Sequence, residues 1–269
     1  VSPGLGLVML VAVAAQAEVP PTEIGPSQQP AVGSPSDDQG ATVDPSSRND
    51  AAAWALSIID RIRSATRRVK STECTFYKEE WKGGGDLAPA QAQLKHRASG
   101  DTYLRFDSGP LAGRHILYRP KKNDGKLIVS NPMFNLNLDP KGFLAMRDSR
   151  HSVDEAGLLA ICGTILGDAR KLKKLPPAAV TYKKLGGRTI AGEKTKCFRS
   201  VFDKKRHPQL FAAKTEICVS DKTGLPVEVK VWQHEGGKLR RVGLYRYTKC
   251  RINTLTDQDF DPKNKAYRF

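Results

Sequence analysis

The sequence predicts an α+β fold in which a curved antiparallel sheet, a half-open barrel, carries helices packed on its concave face. Three observations lead there. Apolar residues recur every three or four positions near residue 50 and again after residue 152, but alternate with polar ones almost everywhere else. Short turn-forming segments join the alternating runs, which favours antiparallel neighbours. The order is helix, strands, one helix, then more strands, and segregated helices mark an α+β layout. A twisted sheet of this many strands curls, and helices then close its hollow side.

The first helix is expected from Ser47 to Lys70. Ala55, Ile58, Ile62, Ala65 and Val69 recur on one face, with Arg61, Arg63, Arg67 and Arg68 on the others. Asp50 is the expected N-cap, and the alanines after it propagate a helix well. "TFYKEEW" and "TYLRF" then alternate, with Leu104 and Phe106 facing one way and Tyr103 and Arg105 the other. "HILYRP" and "KLIVSN" flank "KKNDG", whose Asp124-Gly125 supplies the positive φ of a hairpin turn. In the last third, "KCFRSVF", "KTEICVS", "PVEVKVW" and "RVGLYRY" are strand-like, with turns at "DKTGLP" and "HEGGK". Val227, Val229 and Val231 share one face while Glu228 and Lys230 share the other, as in a sheet wet on one side.

The stretch "DPKGFLAMRDSRHSVDEAGLLAI", Asp139 to Ile161, links the two sets of strands. Asp139 to Gly142 is a turn, and Phe143, Leu144 and Met146 are expected in the core. Ser152 and Glu155 have capping-box spacing, so a helix is expected to start there. It runs to about Leu166, with Leu158, Leu159, Cys162, Ile165 and Leu166 as its apolar stripe. Asp148, Ser149, Arg150 and His151 include the residue types of Ser-His-Asp hydrolysis. Consecutive residues of an extended chain point in alternating directions, however, and a triad needs a continuous hydrogen-bonded relay. The cluster reads as the entrance of a helix.

Residues 1–17 have the form of a secretory signal: an apolar run of 11 residues, Leu5 to Ala15, then the small-residue site Ala15-Gln16-Ala17. No Lys or Arg precedes that run, which a non-standard start codon at Val1 or a missing upstream segment would explain. No Cys stands at the cleavage site, so no amino-terminal lipid anchor is expected. Residues 18–50 hold six Pro and little that packs, and are expected to be a disordered linker. They carry six acidic residues and one Arg, a net of −5; subtracting that from the chain's +16 puts +21 on the folded domain, residues 51–269. A domain this basic is drawn to polyanions, and an exported one meets acidic lipid and cell-wall polymer rather than nucleic acid. A periplasmic or other cell-envelope location is expected.

There are five Cys. No C-x-x-C occurs, which removes zinc-ribbon and thioredoxin-like chemistry. Cys197 and Cys218 lie on successive strands at positions a folded hairpin sets opposite each other, so a disulfide between them is expected. Cys162 sits on an apolar stripe and reads as core. "GGRTIAGEKT" has the glycine spacing of a phosphate-binding loop, but Glu193 interrupts the required Gly-Lys-Ser/Thr and a strand follows; a hairpin is expected. No paired-His spacing exists, so no metal site and no cofactor are expected. His115 and His151 are the histidines worth inspecting; His96, His207 and His234 stand in polar context and are expected at the surface.

The segments "DTYLRFDSGPLAGRHILYRPKKNDGKLIVSNP", "LDPKGFLAMRDSRHSVDEAGL" and "LTDQDFDPKNKAYRF" resemble a bacterial family catalogued as domain of unknown function 1571, over roughly residues 50–269. That family has no assigned activity. Its layout is similar to periplasmic lipoprotein carriers of the LolA/LolB type, where a half-open barrel with helices on its concave side holds acyl chains. "LGGRTIAGEKTKCFRSVF" and "FDPKNKAYRF" carry that second resemblance. It implies an exported, non-enzymatic protein whose partner is a lipid or lipoprotein acyl chain. Leu104, Phe106, Ile116, Tyr118, Phe134, Phe143 and Met146 are the candidate lining. Arg170, Lys171, Lys173 and Lys174 are the candidate contacts to an anionic membrane surface. A module binding anionic polymer or protein through its basic face is a second reading, and a hydrolase using His151 or His115 a third.

Overall fold

The computed structural model describes residues 45–130 and 134–269. The expected signal, 1–17, and residues 18–44 of the expected linker lie outside the described residues. Residues 45–50 do not extend that linker: they open helix α1, Pro45–Arg68. The helix starts before Asp50, so Asp50 is inside it rather than its cap. Pro45 accounts for the earlier start, because its fixed φ and missing N–H suit a first helical position.

After α1 come β1 (Ser71–Lys82), β2 (Gly85–Arg97), β3 (Thr102–Ser108), β4 (His115–Tyr118), β5 (Leu127–Val129) and β6 (Leu136–Leu138). The short helix α2 (Phe143–Met146) and the longer α3 (Leu158–Leu172) follow. Then come β7 (Val180–Ile190), β8 (Glu193–Phe202), β9 (Lys214–Ser220), β10 (Pro226–Glu235) and β11 (Lys238–Ile252). All eleven strands form one curved sheet in the order β6-β5-β4-β3-β2-β1-β11-β10-β9-β8-β7, and every neighbouring pair is antiparallel. β6 and β7 are both edges, so the barrel stays open. No described helix is long and apolar enough to cross a membrane.

The hairpins form where turn chemistry placed them. Asn123, Asp124 and Gly125 all have positive φ between β4 and β5. Ala191 and Gly192 do the same between β7 and β8, so "GGRTIAGEKT" is a hairpin. The centre of the sheet is the seam where β1 pairs with β11, register Phe76↔Tyr247, and Cys74–Cys250 bonds the two strands. Cys197–Cys218 bonds β8 to β9 at directly paired positions, as the hairpin geometry predicted. Both bridges cross-link neighbouring strands and remove entropy from the unfolded chain. Cys162 remains a free thiol, buried against α1.

Helices α1 and α3 lie on the concave face. α1 buries Ala55, Ile58, Ile59, Ile62, Ala65 and Val69, and each larger apolar side chain contributes roughly 1.5–3 kcal/mol. Opposite them the strands offer Phe76, Leu94, Leu104, Phe106, Phe198, Ile217, Val229 and Tyr247. The convex face is polar over β8 to β11, where Glu228 holds Lys230 and Arg246, Arg199 meets Glu216, and Arg241 meets Glu79. Over β3 and β4 the convex face is instead covered by the chain after β11. Tyr103 and Leu117 pack there with Phe260, Tyr267 and Phe269, while Thr256 and Asp259 form a capping box.

The capping box expected at Ser152 does not form. Ser152 begins a single 3₁₀ turn and bonds Asp154, Glu155 takes His151, and α3 starts only at Leu158 with Gly157 before it. Gly157 is there because the ring of His96 fills the space a Cβ would need, 2.3 Å from it. That corrects the reading of His96 as a surface residue: it is buried, bonded to Thr102 Oγ1 at 2.9 Å, and burial lowers its pKa to about 4.

Candidate functional site

α3 crosses the concave face toward the β8–β9 connection, and a cleft runs beneath it. Its roof is Ile161, Ile165, Ala169 and Leu172; its floor is Tyr182, Phe198, Phe202, Ile217 and Val229; Ile59 of α1 closes one side and Phe211 another. The cleft is narrow, with a cavity volume of about 30 Å³. Its walls are apolar apart from a few hydroxyls and one carboxylate. Ser200 and Thr215 are direct partners across β8 and β9, so two hydroxyls stand side by side in the floor. Alternation puts them there: Phe198, Ser200 and Phe202 share a face, as do Thr215 and Ile217.

Thr215 Oγ1 is buried and has no hydrogen-bond partner among the described residues. Two other buried polar atoms share that condition, Thr72 Oγ1 and Arg119 Nε, and neither residue lines the cleft. A buried hydroxyl without a partner costs about 1–3 kcal/mol. At the cleft's end, Asp168 ties α3 to the β8–β9 connection. Its Oδ2 accepts from the Phe211 backbone N–H at 2.9 Å, and its Oδ1 accepts from Lys171 Nζ at 2.9 Å. Lys171 also donates to the Gln209 carbonyl, so the latch is double.

The other half of the concave face is built differently. After Phe76, the inward side of β1 turns charged: Lys78, Glu80 and Lys82. Glu80 Oε2 accepts from Lys78 Nζ at 2.7 Å and from the Arg150 N–H at 3.1 Å, while Tyr245 donates to Oε1 at 2.9 Å. Burial pushes the Glu80 carboxyl up, but these donors outweigh it and hold it below the usual carboxylate range. Lys82 donates to the carbonyls of Met146 and Ser149, and Arg150 reaches the Trp81 carbonyl and Glu235. Residues 146–151 are thereby fastened across the sheet.

This clamp also describes the Ser-His-Asp cluster. Ser149 Oγ donates to the His151 carbonyl at 2.8 Å, while the His151 ring bonds Glu155 and lies against Phe211 and Tyr245. Lys78 Nζ donates to Ser149 Oγ at 2.9 Å, a serine–lysine arrangement, and also to Glu80 Oε2 at 2.7 Å. His115 is buried beneath the C-terminal residues, bonded to Tyr103 at 2.9 Å; burial, with Arg105 and Arg268 nearby, lowers its pKa. Burial pushes the Cys162 thiol up to about 12, far from a nucleophile's range. Among the described residues no group of three or more His, Cys, Asp or Glu could hold a metal ion.

None of the seven residues named for the lining borders the cleft beneath α3. Leu104 and Phe106 are buried in the main core, with Ile116 half-buried against it. Tyr118 and Met146 are half-buried, Phe134 is 56% exposed and Phe143 81% exposed. Phe143 and Leu144 miss the core because the clamp grips this segment by the Met146 carbonyl, and α2 turns both side chains outward. Of the basic quartet, Arg170 and Lys173 line a groove between α1 and α3, Lys171 belongs to the Asp168 latch, and Lys174 is exposed.

A family model described as "Protein of unknown function (DUF1571)" matches residues 69–269. No curated protein matches the chain. Among solved structures it is similar to the Mycobacterium tuberculosis lipoprotein LppX, at 14% identity and a TM-score of 0.43, covering 76% of this chain and 97% of that one. LprF from Mycobacterium bovis is similar at 12% identity and a TM-score of 0.43, covering 76% and 95%. A LolA superfamily protein from Nitrosomonas europaea is similar at 12% identity and a TM-score of 0.32, covering 77% and 97%.

Proposed function

The chain belongs to the DUF1571 family, which is described only as of unknown function, and from its own geometry we propose that it is an exported, non-enzymatic protein that binds a lipid or acyl chain in the cleft beneath α3. One observation carries the reading: an apolar cleft whose floor contains the Ser200–Thr215 hydroxyl pair, one member of it buried without a partner. Apolar walls with a few convergent polar groups are the usual form of a site for a hydrophobic ligand. A hydrocarbon tail fits the walls, and an ester or carboxyl oxygen fits the hydroxyls. Because the cleft is narrow, entry takes a movement of the roof. The Asp168 and Lys171 latch to the Phe211 segment is the contact whose release opens that end.

Export is supported by the two disulfides, which persist in oxidising compartments. A non-catalytic role is supported by the surroundings of the candidate nucleophiles: Ser149 donates to the His151 carbonyl and accepts from Lys78, Lys78 is paired with Glu80, and Cys162 is buried with its thiol pushed up to about 12.

Titration with a fluorescent fatty acid tests the reading. Saturable uptake by the folded protein is expected, with loss of uptake in Ala169→Phe, which fills the cleft from its roof. Circular dichroism checks that this variant keeps its sheet. No uptake by the wild type, or uptake undiminished by the filled cleft, removes the cleft from consideration.

A further inference from the structure

On the outer side of α3, a groove of about 640 Å³ runs between it and α1, lined by Arg63, Thr66, Arg67, Leu166, Arg170 and Lys173. Four of these six are cations and none is an acid. Arg63 is paired with Asp60, whereas Arg67, Arg170 and Lys173 have no ion pair among the described residues. Lacking an ion pair is not what marks the groove, since Arg68, Arg114, Arg188, Arg240 and Arg268 also meet no carboxylate among the described residues, though most other arginines do. Arg61, Arg97, Arg119, Arg147, Arg150, Arg199, Arg206, Arg241, Arg246 and Arg251 all meet a carboxylate. Cations in the last turn of a helix are favoured singly by its dipole, which accounts for Arg67 on α1 and Arg170 on α3 one at a time. The dipole does not account for cations of two helices converging on one groove, where they repel one another.

We infer that this groove seats the phosphate of an anionic lipid head group. Guanidinium groups match phosphate oxygens two at a time, and a lysine adds a third direction of donation. The apolar floor at Leu166 suits the first carbons beyond the phosphate. The groove also meets the cleft along the contact between the helices. Ile59 lines the cleft and Arg63, one turn later on α1, lines the groove; Ile165 and Leu166 divide the same way on α3. A tail held under α3 leaves its head group at that seam. The inference rests on the cleft as the tail site, and adds that the lipid is anionic.

Calorimetric titration separates the two ideas. The probes are dihexanoyl phosphatidylglycerol, dihexanoyl phosphatidylcholine and inorganic phosphate, run against the full chain, Arg67→Glu/Arg170→Glu, and Lys121→Glu/Lys122→Glu as a charge-matched control in an exposed turn. The wild type is expected to prefer phosphatidylglycerol at least about tenfold over phosphatidylcholine, as for a charge-assisted contact. The groove variant loses that preference and the control keeps it. Equal losses in both variants, or a preference untouched in the groove variant, overturns the inference while any remaining lipid binding leaves the cleft standing. Inorganic phosphate binding as tightly as phosphatidylglycerol overturns the lipid assignment and leaves a simple phosphate seat. If the folded wild type binds neither lipid, the cleft reading falls, and the head-group inference falls with it.

Discussion

Glu80 and Thr215 stand on the same concave face, 5% and 6% exposed, in regions that treat a buried polar group in opposite ways. Around Glu80, a charged strand and the segment from Met146 to Arg150 exhaust both carboxylate oxygens with Lys78, Arg150 and Tyr245. Around Thr215, strands and α3 present apolar walls and leave its hydroxyl unanswered. The difference teaches what each half does. A satisfied buried network fixes one arrangement of the chain, whereas an unpartnered buried hydroxyl keeps its hydrogen-bonding capacity, which is what the proposed ligand would use.

The largest break in that comparison comes from the fixed half. Glu80→Leu strands the largely buried Lys78 ammonium and the Tyr245 hydroxyl, and is expected to cost about 3–5 kcal/mol in urea unfolding. A variant as stable as the wild type would mean the clamp holds nothing. His96, where the clamped segment reaches α3, comes next. Its folded pKa of about 4 lies below the ordinary 6.5, so the native ring stays neutral while the unfolded one takes a proton. Stability is therefore full above pH 6.5 and falls toward pH 4, by about 3 kcal/mol in all. Glu80 adds its own loss only lower, as pH drops through its depressed folded value. An NMR titration of the His96 ring should show no protonation down to pH 5; a midpoint above 6 would contradict its burial. Gly157→Ala is smaller. It drives a methyl into the same ring and should cost about 1–3 kcal/mol, read as a lowered unfolding midpoint.

Most of the sheet was legible because alternation and turn chemistry are local. Leu104 and Phe106 fall on the core side, Val227, Val229 and Val231 likewise, and Asp124-Gly125 makes its turn. β2 was missed: "GDLAPAQAQLKHR" is poor in β-branched residues, although Ala90, Ala92 and Leu94 do alternate inward. The Ser152 cap failed because a tertiary contact, His96 against Gly157, decides where α3 begins. The cleft was out of reach for a similar reason. Its floor stripe, Phe198, Ser200 and Phe202, is visible in "KCFRSVF", and a serine inside an apolar stripe is a signal. Which strands α3 covers is set by its whole path, which no local pattern encodes. Arg170 and Lys173 were visible as charge, but their convergence with Arg63 and Arg67 depends on how two distant helices pack.

The finest test of the comparison is Thr215→Val, which keeps the shape of the side chain and removes only the hydroxyl. In the fixed half such a change would orphan neighbours. Here no neighbour bonds Thr215 Oγ1, so unfolding stability should stay within about 1 kcal/mol of the wild type or rise slightly, since a buried unpaired polar atom is gone. Binding should move the other way. If the hydroxyl meets the polar end of a fatty acid, its loss removes one hydrogen bond, about 0.5–1.5 kcal/mol, or roughly two- to tenfold in Kd. Ser200→Ala, at the paired position on β8, should act in the same direction. A tighter-binding Thr215→Val would show that the ligand meets only the walls, and the hydroxyl would then be a flaw in the floor rather than part of the site. A loss of stability comparable to that of Glu80→Leu would erase the distinction between the two halves.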